Sequence, residues 1–285
     1  MAREWQEFGA ERERAARAAA VAAKYEELAA QPPQSMRQIR QRMAELHRRI
    51  EARHRACARL HRSHALRLQR WALGDRATLR PVFMAAVAEQ LGADSAAVTL
   101  FGPAGEELLI AASDGTARAA HDLELLVGEG PAHDALVSRE CVIAGSTELA
   151  TRWPEYGPAV AELGVRYVAA APLRSSDLLG VLCAFTSRTE LRDEVTMAAA
   201  RMADALAHTV LLGASGIAPD GTMHGSLFND ADYLTTVHQA VGMVAVQCTC
   251  DTRAALALLR ARAFADGVTV TEVARRVLED GYQLC

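Results

Sequence analysis

Side chains that could bind a transition metal recur between residues 47 and 64. His47, His54 and His61 are seven residues apart, so a helix would carry them along one side. Cys57 and His64 share a helical face with His54 and His61, and imidazole and thiolate groups there would suit a metal ion or a haem. A metal site also needs ligands that converge and partners that orient them. The pattern therefore favours the polar flank of a helix, and we expect neither a metal nor a cofactor.

Catalytic patterns are not apparent elsewhere in the sequence. It contains no phosphate-binding loop of the P-loop type and no His-Glu-x-x-His pattern of metalloproteases. Cys248 and Cys250 form a single Cys-x-Cys without a second pair. The Gly128-Glu129-Gly130 segment follows no strand that would make it a dinucleotide-binding fingerprint. The sequence therefore indicates a protein that is not an enzyme.

Composition and charge place the chain among soluble globular proteins. Its 285 residues suit two or three compact units, and 51% are hydrophobic while 23% are charged. Residues 1–72 contain 16 arginine and lysine residues against 8 acidic ones, which leaves the rest of the chain strongly acidic within a formal net charge of −4. The six scattered cysteines are expected to be reduced thiols. With no signal-peptide pattern and no long apolar run, the sequence predicts a cytoplasmic protein that does not contact a membrane.

Residues 1–72 show the pattern of two long helices. Ala, Glu and Arg, all good helix formers, dominate residues 2–30, and Pro32 and Pro33 interrupt the helix. The second helix carries a stripe of apolar residues at alternating spacings of three and four, as in a coiled coil. That stripe predicts either a homodimer through a coiled coil or a hairpin folded back within one chain, and the sequence does not decide between them. The many arginines are expected to form a solvated face or to contact the acidic remainder of the chain.

Residues 73–213 show the sequence pattern of a domain that contains both strands and helices. Short apolar runs predict strands over 96–101, 108–112, 142–144, 167–173 and 178–185. The last two runs, separated by a short loop, predict a central antiparallel hairpin. Amphipathic helices over 80–91 and 192–212 flank them. The pattern predicts an α/β sandwich with an antiparallel sheet, and the chain as a whole belongs to the α+β class.

Two segments of this region resemble the GAF domains of actinobacterial regulators. They are LVGEGPAHDA at 126–135 and RWPEYGPAVAELGVRYVAAAPL at 152–173. The resemblance implies a small-ligand sensor or a dimerisation module. Many relatives have a cysteine just after the GEGP turn, whereas this chain has Ala132, so the resemblance does not extend to thiol chemistry there. The polar side chains that could reach a ligand are His121, His133, Asp134, Trp153, Tyr156 and Arg166.

Residues 214–229 contain several Gly, Ser and Pro residues and are predicted to be a linker. The last part of the chain, 230–285, predicts three helices in a row. The first would begin near Asn229 or Asp230. Asp251 is an N-cap for the second, which Gly267 would end. Thr269 and Glu272 have the spacing of a capping box for the third.

The C-terminal pattern HQAVGM, followed by ALALLRARAFADGVTVTEVARRVL, resembles the ANTAR domain. The resemblance covers residues 232–282 and implies an RNA-binding module that binds hairpins in nascent messenger RNA and acts in transcription antitermination. The candidate RNA contacts are Gln239, Gly242, Arg260, Arg262, Arg275 and Arg276. Val241 stands where the family has a lysine, and residues 229–285 contain five arginines against seven acids. That weak positive charge leaves open a ligand-sensing or protein-interaction scaffold whose RNA binding has decayed.

Overall fold

The computed structural model describes residues 1–74, 79–102, 105–174, 178–188, 193–214, 223 and 225–285. The N-terminal helices are α1 (Ala2–Ala29) and α2 (Arg37–Leu73), with a short 3₁₀ helix at Gln34–Met36. The central helices are α3 (Phe83–Leu91), α4 (Gly115–Val127), α5 (Pro131–Ser138), α6 (Ser146–Arg152), α7 (Tyr156–Glu162) and α8 (Asp193–Ala214). The strands are β1 (Ser95–Phe101), β2 (Glu107–Ala112), β3 (Val142–Gly145), β4 (Tyr167–Arg174) and β5 (Leu178–Thr186). The C-terminal helices are α9 (Thr235–Gln247), α10 (Thr252–Asp266) and α11 (Val270–Glu279).

The two N-terminal helices form an antiparallel hairpin within the chain. Pro32 and Pro33 end the first helix, and the chain turns back through the 3₁₀ helix. Ala15, Ala18 and Ala22 are buried on α1, and such small residues let two helices approach closely. The hairpin is therefore present within one chain, and homodimerisation stays a prediction. None of the helices in the described ranges is both long enough and apolar enough to cross a membrane.

The central sheet contains five antiparallel strands within the described residues, in the order β2-β1-β5-β4-β3. The predicted hairpin of β4 and β5 lies at its centre, with Ala170 opposite Cys183. Because side chains alternate along a strand, the sheet has two buried faces. On one face, Val98 and Leu182 pack with α3, α8 and Leu60 of the N-terminal hairpin. The α+β class and the antiparallel sheet are confirmed.

The other face of the sheet is covered by four helices that the strand pattern did not indicate. Helices α4, α5, α6 and α7 are short, and together they bury Trp153 and Tyr156 against Phe185. The same apolar core continues into the C-terminal helices through residues such as Leu259 and Val273. The C-terminal module therefore packs on the central domain.

The C-terminal module, residues 235–279, begins each helix largely as its caps predict. Asp251 accepts a hydrogen bond from the backbone N–H of Ala254 at 2.7 Å, and Gly267 ends α10 with φ of 63°. Thr269 accepts from the backbone N–H of Glu272 at 3.2 Å. The first helix begins at Thr235, several residues later than predicted, because the preceding residues form turns and a β-bridge.

Other features of this end of the chain differ from the sequence expectations. Cys248 and Cys285 form a disulfide with a Cα–Cα distance of 5.7 Å. This pair is therefore oxidised, whereas reduced thiols were predicted. Most of the predicted linker, residues 215–222 and 224, lies outside the described residues. Its last part is packed, because Leu227 and Phe228 are buried against the face of the sheet that α8 covers.

Replacing Thr269 with alanine is expected to lower the free energy of unfolding by about 1 kcal/mol, because the N-terminus of α11 loses its side-chain acceptor. Thermal unfolding measured by circular dichroism would show the loss. The matched control is Thr252→Ala, which changes an exposed threonine just inside the next helix upstream. Equal losses in the two variants would contradict the capping role of Thr269.

Candidate functional site

The Gly128–Pro131 turn joins three helices of the central domain. Gly128 ends α4 with φ of 75°, and Pro131 opens α5. Between them, the Glu129 carboxylate accepts backbone hydrogen bonds from Glu155 at 2.7 Å and Tyr156 at 3.1 Å, at the start of α7. The turn therefore fixes the positions of α4, α5 and α7 relative to one another around the interior of the central domain.

Glu124 is a carboxyl group buried in that interior. It accepts a hydrogen bond from the backbone N–H of His133 at 2.7 Å, at the open end of α5. A Cβ atom on Gly130 would stand 2.6 Å from the carboxyl carbon of Glu124, so only glycine allows this approach. Burial raises the pKa of Glu124 to about 8, although hydrogen bonds from the backbone of His133 and Ala132 oppose the shift. Glu124 is therefore largely protonated at neutral pH.

His121, one turn before Glu124 on α4, is a buried histidine between two acids. Its Nε2 lies 2.7 Å from the Glu107 carboxylate and its Nδ1 lies 3.3 Å from the Asp122 carboxylate. Burial alone would lower the pKa of His121, but its hydrogen bonds to Asp122 and Glu107 outweigh that effect and raise the pKa to about 9. His121 is therefore a buried cation at neutral pH.

Two aromatic side chains bring unsatisfied polar atoms to the same interior. Trp153 and Tyr156 are buried and pack edge to face with ring centroids 6.0 Å apart. Within the described part of the chain, neither the Trp153 Nε1 nor the Tyr156 hydroxyl has a hydrogen-bond partner. Burial raises the pKa of Tyr156, and the charges of Glu124 and Cys183 add to the shift. Buried donors of this kind are the groups that a small polar ligand would satisfy.

Arg260 of the C-terminal module reaches this site from outside the central domain. Its Nη1 would be 3.1 Å from a Cβ atom on Gly128, so the glycine leaves room for the guanidinium. Burial lowers the pKa of Arg260, and the charge of Glu107 opposes that shift. Its Nε is buried and has no hydrogen-bond partner among the residues that the structure describes. Arg260 therefore lies in the joint between the module and the domain.

A second contact holds the segment that leads into the module. Asp232 pairs with Ile110 at the edge of the sheet through two backbone hydrogen bonds of 2.8 Å. Its carboxylate lies 2.7 Å from Nη1 of Arg118 on α4, whose Nε lies 2.9 Å from Asp122. Burial would raise the pKa of Asp232, but the hydrogen bonds from Arg118 and from the backbone N–H of Leu234, together with the charges of Arg118 and His121, outweigh it and lower the pKa. Close ion contacts thus link Asp232, Arg118, Asp122, His121 and Glu107.

The comparison with protein families gives one match. Residues 75–210 match the family model of the GAF domain. The chain contains a GAF domain. The N-terminal hairpin precedes it and the C-terminal module follows it. No ANTAR family model matches the chain, so the resemblance of residues 232–282 to that family is not supported by this comparison. A comparison with curated proteins returned no match.

Three solved structures show distant likeness to the chain. A domain of a sensor histidine kinase protein from Sinorhizobium meliloti 1021 is 18% identical, with 45% of this chain and 85% of that chain covered and a TM-score of 0.35. A phycocyanobilin-bound GAF domain from a cyanobacterial phytochrome is 16% identical, with coverage of 57% and 94% and a TM-score of 0.36. Escherichia coli SdiA is 12% identical, with coverage of 76% and 96% and a TM-score of 0.37. These likenesses are too weak to indicate a function.

The GAF domain brings together only part of the predicted ligand set. His121 and Tyr156 both lie in the interior around Glu124. His133 and Arg166 are exposed, and Arg166 uses its backbone N–H to extend the sheet to Thr186. Asp134 pairs with Arg152 at 2.9 Å. Glu107 and Glu124 were not predicted from the sequence. An acid in the otherwise apolar helix end LELLV, just before the GEGP turn, was the available signal for Glu124.

The predicted RNA contacts divide between an exposed face and the joint. Gln239 and Gly242 are exposed on α9 and line an open apolar groove with Met243, Val246 and Leu278. Arg262 and Arg276 pair with Asp266 at 3.0 and 3.1 Å, while Arg275 pairs with Glu272. Glu272 thus pairs with arginines, and among the residues that the structure describes no reciprocal bond joins its side chain to Thr269. Arg260 lies against Gly128 of the GAF domain.

The predicted metal candidates do not form one site. His54 Nδ1 lies 2.7 Å from Glu11, and His61 Nδ1 lies 2.9 Å from Glu4, so each histidine pairs with a different acid of α1. Cys57 faces the carbonyl of Ala205 with its sulfur 3.5 Å away, and burial raises its thiol pKa to about 12. His64 packs against the ring of Phe83. These side chains join the two helices of the hairpin to each other and to the GAF domain.

Proposed function

We propose that the protein is a signal-responsive regulator that binds RNA and acts in transcription antitermination. The C-terminal module binds hairpins in nascent messenger RNA. The GAF domain and the N-terminal hairpin control that binding in response to an unidentified small molecule. The active unit is a homodimer, and the protein is not an enzyme.

The observation that carries the proposal is the partial burial of Arg260 in the joint between the module and the GAF domain. Arg260 belongs to the surface that the family resemblance assigns to RNA, yet its guanidinium is turned toward Gly128 and Glu107. A module docked in this way presents an incomplete RNA surface. A signal that weakened the docked state would expose Arg260, which supports regulation through two states of different RNA affinity.

The remaining candidate contacts are compatible with RNA binding. The pairs of Arg262 and Arg275 with acids are exposed and that of Arg276 with Asp266 is half-buried, and ion pairs near the surface contribute little stability. Their guanidinium groups can therefore turn toward phosphates or stack on unpaired bases of a hairpin loop. Gln239 stands on the exposed side of α9, where its amide is available to base edges.

Replacing both Arg275 and Arg276 with alanine is expected to weaken binding to a double-hairpin RNA by about tenfold or more, because two phosphate or base contacts are lost. Filter binding at constant salt with the full chain measures the affinity. The matched control is Arg253→Ala together with Arg139→Ala, which removes two exposed arginines outside the proposed surface. Weak binding of the native chain, with the same affinity for RNAs of different sequence and structure, would contradict the proposal.

A second candidate function is a ligand-sensing or protein-interaction scaffold with decayed RNA binding. It is favoured by the acidic module, in which Val241 is partly buried and Asp266 and Glu272 neutralise three arginines. The double variant Arg260→Ala, Arg262→Ala separates the two. Unchanged RNA affinity together with a shift in the dimer equilibrium, measured by sedimentation, would favour the scaffold.

A further inference from the structure

Three side chains from three different helices meet where the N-terminal hairpin packs on the GAF domain. Glu11 comes from α1, His54 from α2 and His208 from α8, and one carboxylate or imidazole atom of each lies within 4.8 Å of the others. Glu11 Oε2 and His54 Nδ1 are already 2.7 Å apart. The rings of His54 and His208 pack edge to face, with centroids 5.0 Å apart. Sequence spacing cannot group these residues, because 154 positions separate His54 from His208.

The surroundings of Glu11 orient it toward the two histidines. Its side chain is only 4% exposed, and a buried carboxylate is costly unless its oxygens are satisfied. Arg14 donates a hydrogen bond to Oε1 of Glu11, and Oε2 of Glu11 faces His54. A carboxylate fixed by a second partner in this way resembles the oriented ligands of metal sites. The nearby cation Arg53 is paired with Asp204 through two contacts of 3.0 Å.

His208 supplies the second observation. Its Nε2 is buried and has no hydrogen-bond partner within the described ranges. Buried polar atoms without a partner are rare in folded proteins. An imidazole nitrogen can be satisfied by coordinating a metal ion, and His208 belongs to a cluster that already offers a second imidazole and a carboxylate.

We propose that Glu11, His54 and His208 bind a divalent transition-metal ion of the zinc class. Two imidazoles and one carboxylate are ligands of zinc and of iron(II), whereas calcium and magnesium prefer oxygen ligands alone. The ion replaces the proton shared by Glu11 Oε2 and His54 Nδ1. Tetrahedral metal–ligand distances of about 2.0–2.2 Å place the ligand atoms roughly 3.3 Å apart. Glu11 and His54, now 2.7 Å apart, must therefore separate slightly, while more widely spaced ligand atoms close in. Three protein ligands leave a fourth position for water.

The position of the site gives the ion a structural effect. Its ligands come from both helices of the hairpin and from the closing helix of the GAF domain. A bound ion therefore clamps the hairpin to the domain. Neither the regulation of the C-terminal module nor RNA binding is needed for this effect, so the site can be tested independently of the proposed function.

The test uses the untagged full chain, stripped with a chelator and titrated with Zn²⁺ by calorimetry. We expect one equivalent to bind and Tm to rise by about 5 °C at a hundredfold excess over Kd. Co²⁺ bound in place of Zn²⁺ should show the visible absorption of a site of low symmetry. His208→Gln is expected to weaken binding by about a hundredfold or more and to abolish the rise in Tm, since it removes one of three ligands.

His208→Gln is the informative variant because the Nε2 of His208 makes no hydrogen bond that the change would break. Glu11→Gln is a second variant with the same expected loss. The matched control is His47→Gln, which lies two helical turns before His54 and stacks on Tyr25 away from the cluster. Unchanged binding in His208→Gln, equal losses in the control, or failure of the native chain to bind Zn²⁺ would each overturn the proposal.

Discussion

Raising the pH from 5 to 8 is expected to lower the free energy of unfolding by about 4 kcal/mol, through Glu124 alone. Its pKa is about 8 in the folded protein, against an ordinary value of 4.5. Between these values the folded protein holds a proton that the unfolded chain releases. The stabilisation is fully present below pH 4.5 and is lost as the pH rises through 8.

His121 extends the loss of folding stability to higher pH. Its folded pKa of about 9 exceeds its ordinary value of 6.5, so its contribution is fully present below pH 6.5 and is lost as the pH rises through 9. The two groups act in the same direction because each holds a proton more tightly when folded. The GAF domain should therefore be most stable in mildly acidic solution and lose stability steadily between pH 5 and 9.

Glu124→Gln separates the two contributions. The amide oxygen can still accept the backbone hydrogen bond from His133, but the side chain no longer titrates. Between pH 5 and 6.5 we expect this variant to lack the fall in stability that Glu124 causes in the native chain, and to weaken through His121 only above that range. Urea unfolding at several pH values, followed by tryptophan fluorescence, measures the free energies. Trp153 lies beside the site and reports on it.

Glu162→Gln is the control, because Glu162 is exposed at the end of α7. It should show the pH dependence of the native chain. A slope of stability against pH that is the same in Glu124→Gln and the native chain would contradict the buried, protonated carboxyl. A stability that rises from pH 5 to 8 would contradict the assignment of both groups.

The parts of the fold that sequence predicted are those determined by local signals. Asp251, Gly267 and Thr269 mark helix ends through bonds to residues within three or four positions. The apolar runs of β4 and β5 predict a central hairpin because both strands are buried on both faces. Helices α4, α5, α6 and α7 were not predicted individually, since each is short and its apolar stripe spans only two or three turns.

The site was harder to predict because its contacts join distant parts of the chain. Glu107 of β2 meets His121 of α4, and Arg260 approaches Gly128 from another unit. The resemblance of the GEGP segment to GAF domains correctly located the turn, but not that Gly130 makes room for Glu124. Similarly, the histidine spacing on α2 drew attention to His54, while its partners Glu11 and His208 depend on how three helices pack.

Charge reversal at Arg118 is expected to raise the affinity of the full chain for a double-hairpin RNA by about thirtyfold. The carboxylate introduced by Arg118→Glu would replace two ion pairs with repulsion from Asp122 and Asp232, which lie 2.9 and 2.7 Å from the native guanidinium. Destabilising the docked module by about 2 kcal/mol corresponds to that factor when the docked state predominates. Filter binding at constant salt measures the affinity. Hydrogen exchange in α10 measures release of the module.

The direction of the change in RNA affinity shows whether Arg118→Glu acts by releasing the C-terminal module or only by changing the net charge. Arg118→Glu makes the chain more acidic by two charges, and added negative charge by itself weakens RNA binding. Arg166→Glu is the matched control, because it makes the same change at an exposed position of the GAF domain. The control should bind RNA no better than the native chain. A gain confined to Arg118→Glu therefore has to come from exposing the surface that contains Arg260. Faster exchange in α10 without a gain in affinity would show that docking does not control RNA binding.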